Sequence, residues 1–224
     1  MVLNPVQKGV TGIGTDPAQA DVLVSRTVQL PGFLDLQPTR DFTKWWGCKD
    51  LPTLSSTEMP YSLALMLVVD LASRKWMDDQ HMPEPEQAAL WGLRKNCPNP
   101  APAPRYRARP LNGVWATAPY LHNGSVPSLY WLLAPAAERP KKFCMGARDF
   151  DPKQVGFDVK GDETHCTTGQ TLFSMTDRDG KPINGNSVLG HSLEGTPGPD
   201  KPGVIGRSLT PDERYELIEY LKTL

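Results

Sequence analysis

The residues of this 224-residue chain best suited to chemistry are four histidines, a closely spaced pair of arginines and a cluster of aromatics. His122 lies in Pro119-Tyr120-Leu121-His122-Asn123-Gly124, between aromatic residues and a turn. It can act there as a ligand, as a proton carrier, or as a buried imidazole that holds the turn by hydrogen bonds. His191 closes Gly185-Asn186-Ser187-Val188-Leu189-Gly190-His191. Flanking glycines let a backbone approach a flat cofactor, although an exposed loop histidine has the same surroundings. His81, after Asp78-Asp79, and His165, beside Cys166, read as surface residues. Arg107 and Arg109 flank Ala108 next to Tyr106 and suit bidentate capture of carboxylates, or else surface ion pairs.

Several chemistries lack their signatures. The chain has no nucleophile elbow, no His-Glu-x-x-His, no P-loop and no dinucleotide fingerprint. Asp149 and Asp151 precede Pro152 and read as turn-capping acids. The four cysteines, Cys48, Cys97, Cys144 and Cys166, form no Cys-x-x-Cys pair, which argues against a zinc ribbon or thioredoxin-type site. Pairings Cys144–Cys166 and Cys48–Cys97 are favoured, because each closes a loop rich in glycine and proline. Four reduced, buried cysteines are the alternative.

The elements that must position these groups are short. With 23 prolines and 19 glycines, long helices and broad sheets are not expected to dominate. Gly12 to Pro17 reads as a turn, with Thr15 or Asp16 capping a helix over 18–25. Pro60 to Asp79 predicts a helix whose near-continuous apolar surface suggests burial, and Pro83 to Asn96 predicts a second. A proline-rich, polyproline-like spacer follows at 98–105. A short helix is expected over 129–133, and short strands near 143–145 and 171–174. The chain ends in a helix capped by Thr210, Pro211 and Glu213, with Leu217, Ile218 and Leu221 as its buried stripe.

Tyr106 to Leu129 resembles, nearly word for word, a signature of bacterial di-haem c-type cytochromes, a group that includes cytochrome c peroxidase-like proteins and rubber oxygenases. Other blocks resemble the same family in order: Gly14-Thr15-Asp16-Pro17, Gly146 to Phe157, Gly185-Asn186-Ser187 with Gly190-His191, and Leu209 to Leu224. The resemblance implies a mainly α, loop-rich, cytochrome c-like C-terminal haem domain with few short strands. It would be one domain over 1–224, with a helical part at 1–97, the spacer at 98–105 and the haem-pocket loops and final helix at 106–224. His191 would ligate the iron of an electron-transfer haem c. His122 and Asn123 would lie around that pocket, Trp115 and Tyr120 would line it, and Arg107 and Arg109 would pair with propionates. The family's Cys-x-x-Cys-His attachment motif is absent from these 224 residues. The chain therefore reads as the C-terminal part of a longer protein, incomplete at its N-terminus and not expected to be active alone.

The implied function is the haem-pocket portion of a peroxidase-like oxidoreductase, or part of an oxygenase that cleaves an apolar polymer or lipid. The implied partners are an N-terminal haem domain of the same protein and a small redox protein. A Ca2+ ion between domains fits the same resemblance. The rival class is a haem-free, disulfide-stapled secreted binding module. A net charge of −1 argues against a nucleic-acid partner. The longest apolar run, Tyr61 to Val69, is too short to span a bilayer. Met1 to Val10 has no signal-peptide pattern, so a periplasmic or secreted location rests on the family and the cysteines.

Overall fold

The computed structural model describes residues 7–9, 14–37, 40–41, 43–44, 48, 58–90, 105–107, 110–146, 149–160, 162–198 and 200–224; at 7–9, 105–107 and Val24 it describes the backbone alone. Cys97, Arg109 and the spacer as far as residue 104 lie outside the described residues. The chain divides into two compact units, Asp21–Ala103 and Met1–Ala20 with Pro104–Leu224.

In the first unit, strand Thr27–Val28 pairs antiparallel with Met59–Pro60, and the Tyr61 amide donates to the Arg26 carbonyl. Helix Tyr61–Asp79 starts where the sequence suggests, with Pro60 as its N-cap. It buries one stripe, Leu63, Ala64, Leu67, Asp70 and Met77, against a core that includes Leu30, Leu36, Cys48 and Met59. Leu65, Val68, Val69 and Trp76 are exposed, so the continuous apolar surface does not make this a fully buried helix. Helix Glu84–Leu90 covers the described part of the second expected helix. Cys48 is disulfide-bonded.

The second unit is built mostly from turns and two-stranded pairings. Lys142–Met145 pairs antiparallel with Thr171–Ser174, and Phe150–Asp151 with Gly156–Phe157. Ser192–Leu193 runs parallel to Val204–Gly206, and Gln7–Gly9 pairs antiparallel with Arg105–Arg107. Disulfide Cys144–Cys166 closes the loop that leaves the first of these strands, the pairing favoured from its glycine- and proline-rich loop. Helix Leu129–Leu132 is capped by the Ser128 hydroxyl, which accepts from the Trp131 amide. Helix Pro211–Leu221 has the complete capping box formed by Thr210 and Glu213. Ile218 and Leu221 bury against Tyr120, Val126, Leu129, Leu133 and Val155. A second cluster joins Phe143, Val159, Phe173 and Val188.

The expectation of a mainly α, cytochrome c-like domain is overturned. Of the described residues only 35% are helical and 16% lie in strands, in five described helices and several small sheets. The physical reason is punctuation. Proline removes amide donors and glycine favours turns, so apart from the 19-residue helix Tyr61–Asp79 the described helices stay short and the ladders narrow. Backbone groups are instead satisfied in short ladders and loops held by side chains.

Candidate functional site

The site is assembled from three loops of the second unit. The first begins at Tyr120, whose amide donates to the Val126 carbonyl at 2.6 Å while the Val126 amide returns a bond to Tyr120. That closure leaves 121–125 as a tight loop, with left-handed φ of 64° at Leu121 and 67° at Gly124. His122 and Asn123 sit at its tip. Asn123 spans to the second loop: its Nδ2 donates to the carbonyls of Gly185 at 3.0 Å and Ser187 at 2.8 Å. Its Oδ1 accepts from the Ser125 amide, so one bond holds the first loop's own turn while the two Nδ2 bonds lock the two loops in register.

The third loop carries Thr15 and Asp16, both buried. Asp16 accepts from the Ala18 amide, as a helix-capping acid should, and from the Ser187 amide, each at 2.9 Å. Thr15 Oγ1 lies 3.5 Å from His122 Nδ1. His122 and His191, 69 positions apart in sequence, thus belong to one neighbourhood organised by Asp16 and Asn123.

His191 adopts a left-handed φ of 51°, an uncommon conformation for a residue with a Cβ. Its Nδ1 is buried and has no hydrogen-bond partner. Burial holds the His191 imidazole below the ordinary histidine range, and the Arg139 guanidinium and the His122 ring lower it further. Burial also lowers His122, outweighing the Asp16 carboxylate and a hydrogen bond to the Asp16 backbone. Both rings are therefore biased toward the neutral form, the form that can donate a lone pair to a metal.

Behind His191 lies Arg139, only 2% exposed. Its Nη1 donates to the carbonyls of Val188 at 2.6 Å and Gly190 at 2.8 Å, and its Nη2 to His191 at 3.1 Å. The same guanidinium donates to Trp131, Leu132 and Ala134 at the C-terminal end of helix Leu129–Leu132. Burial pushes its pKa down to about 10, opposed by the charge of Glu194, so it remains a cation at neutral pH.

The other expected site residues are placed differently. Tyr120 is part of the hydrophobic core; its hydroxyl donates to Val114 at 3.0 Å and lies 3.4 Å from the Val155 carbonyl, and burial pushes its pKa up to about 12. Trp115, on the single turn Val114–Ala116, is 44% exposed. The Arg107 backbone pairs with Gln7, and Arg109 lies outside the described residues. His81 and His165 are exposed, as expected, and Asp151 caps its turn through the amides of Lys153 and Gln154. No group of three or more His, Cys, Asp or Glu side chains able to hold a metal ion occurs among the described residues. Sequence reasoning missed Arg139, because an arginine in Ala-Glu-Arg-Pro-Lys-Lys looks like part of a solvated basic run. The only local hint was its position just beyond a short helix, where a cation meets unpaired carbonyls.

Residues 105–144 match the RoxA-like, cytochrome c-like family. That segment contains His122, Asn123 and Arg139, and it relates the chain to haem-related oxidoreductases. An uncharacterized protein of Sinorhizobium fredii (strain NBRC 101917 / NGR234), y4iJ, is 42% identical over 217 residues, covering 96% of this chain and 30% of that protein. A second from the same strain, y4iM, is 38% identical over 127 residues, covering 53% of this chain and 27% of that protein. The chain thus spans less than a third of the length of either relative. No solved structure matches it significantly.

Proposed function

We propose that this chain supplies one wall and one iron ligand of a haem site in a longer, extracytoplasmic oxidoreductase, with His191 as the ligand. The observation that carries the reading is the buried, unpartnered Nδ1 of a neutral-biased imidazole, in a chain bearing the RoxA-like segment. A buried nitrogen without a partner is costly unless something satisfies it, and iron suits imidazole. The residues present fit a haem ligand. They do not supply covalent attachment, because the Cys-x-x-Cys-His motif is absent from the 224 residues.

When bound, haem supplies one-electron redox chemistry at iron. The chain's own residues hold and shield the ligand. Asn123 and Asp16 fix the loop that carries His191, and Arg139 anchors it from behind. His122, neutral and next to Thr15, orders the pocket edge and can pass a proton. The RoxA-like match favours service to an oxygenase over a peroxidase, with the oxidant-activating centre elsewhere in the longer protein. The Cys144–Cys166 bond supports a periplasmic or secreted setting. No described helix is long and apolar enough to cross a membrane.

The test is spectroscopic. The haem-loaded full-length gene product is compared with its His191→Ala and His122→Ala variants by absorbance and electron paramagnetic resonance. A low-spin signal lost in His191→Ala and kept in His122→Ala is expected. Spectra unchanged by His191→Ala in both redox states, or no haem in the wild-type protein, would overturn the proposal.

A further inference from the structure

The guanidinium of Arg139 joins two sets of carbonyls that would otherwise face one another across a buried gap. One set, Trp131, Leu132 and Ala134, ends a helix, where carbonyl dipoles carry partial negative charge. The other set, Val188, Gly190 and His191, belongs to a loop with left-handed backbone at two successive residues, Gly190 at φ 91° and His191 at φ 51°. A strained conformation persists only where its surroundings over-determine it. Here the over-determination comes from one planar fork of donors with fixed geometry, which a flexible ammonium cannot reproduce. Among the described residues no carboxylate forms an ion pair with Arg139, so its charge is shared among carbonyl oxygens, with Glu194 acting only at longer range.

We propose that Arg139 is the positioning residue of His191: it holds the left-handed ligand backbone in place, and its buried charge favours the more reduced state of iron bound there. The proposal rests on the reading of His191 as a ligand. The positioning follows from the three bonds to 188–191, the last of them on the ligand's own carbonyl. The redox effect follows from electrostatics, since a fixed cation in a low-dielectric interior disfavours the more positive oxidation state. Groups that orient a ligand typically change metal affinity or activity by about 10- to 100-fold when removed.

Two variants separate the roles. Arg139→Gln removes charge and fork, whereas Arg139→Lys keeps the charge and loses the fork. In the haem-free chain, modification of His191 by diethyl pyrocarbonate, followed by peptide mapping, reads the positioning without any iron. His191 is expected to react faster in both variants than in wild type, with exposed His81 and His165 as unchanged internal standards. In the haem-loaded full-length protein, Arg139→Gln is expected to lower the midpoint potential and broaden the low-spin signal. Arg139→Lys is expected to broaden the signal while leaving the potential near that of wild type. If Arg139→Gln fails to fold, the Lys variant still tests the clamp. Wild-type His191 reactivity and an unbroadened signal in a folded Arg139→Lys protein would overturn positioning, and an unchanged potential in a folded Arg139→Gln protein would overturn the redox effect. A His191→Ala spectrum identical to wild type would instead sink the ligand reading, leaving the haem-free labelling to judge the clamp alone.

Discussion

Gly190 packs directly on the backbone of Thr15: a Cβ built on Gly190 would lie 2.7 Å from Thr15 Cα and 2.8 Å from Thr15 N. The glycine also holds φ at 91°, where an L side chain is strained. Two costs therefore add in Gly190→Ala, backbone strain and a clash with atoms that cannot rotate away. The substitution should destabilise the protein by about 3 kcal/mol or more, measured by chemical denaturation. Gly180 is the control: its φ is 80°, but nothing lies within 4 Å of the added Cβ. Gly180→Ala should cost only about 1 kcal/mol. Equal losses at the two sites would show that the Thr15 contact contributes nothing.

That contact marks the limit of what the sequence discloses. Local chemistry was legible: Thr210 and Glu213 cap the last helix, Asp16 caps an early turn, and Cys144 pairs with Cys166. The strands near 143–145 and 171–174 were legible too, and they pair with each other. The class of fold was not, because proline and glycine density limits helix length without saying which pairings replace helices. Arg139 was invisible for a related reason. Its burial depends on carbonyls about 50 residues downstream, and no local pattern encodes that. His122 and His191 were individually noticeable, but Thr15, Asp16 and Asn123 bring their loops together through bonds that skip 62 to 171 positions.

Asn123 should be intolerant of both truncation and charge. Its amide donates to Gly185 and Ser187 carbonyls, so Asn123→Ala leaves two partly buried acceptors without that donor. A loss of about 2–3 kcal/mol is expected from denaturation curves. Asn123→Asp keeps the shape but places an acceptor against two acceptors, and should be at least as damaging at neutral pH. A stable Asp variant would mean that the loops are registered by something other than this amide.

Loss of the Cys144–Cys166 cross-link should act mainly on the unfolded chain. The bond spans a sequence separation of 22 residues, for which loop closure implies about 3 kcal/mol. Replacing both cysteines by serine should lower stability by about that amount and make it insensitive to reductant at this site. The Phe143–Phe173 ring contact, with centroids 4.9 Å apart, lies between the same two strands and should keep them paired in the native state. Near-ultraviolet circular dichroism of the folded double variant should therefore resemble wild type. A collapsed aromatic signal would show that the disulfide, not ring packing, holds the strands.

The last helix carries a pH dependence whose sign is fixed by its cap. Glu213 is held down to about 2 from an ordinary 4.5, first by the Arg207 guanidinium and then by the Thr210 amide. Because the folded-state value is depressed, the ionised carboxylate stabilises the fold above 4.5, and that contribution is lost as pH falls through about 2. Glu213→Gln removes the titration but leaves an amide oxygen able to accept from the Thr210 amide. Melting temperatures of wild type and variant should differ most above pH 4.5 and converge toward pH 2. High salt should narrow the difference, since Arg207 is largely solvated and its attraction is screened. A gap that stays constant with pH would mean that the carboxylate charge adds nothing beyond the hydrogen bond of the capping box.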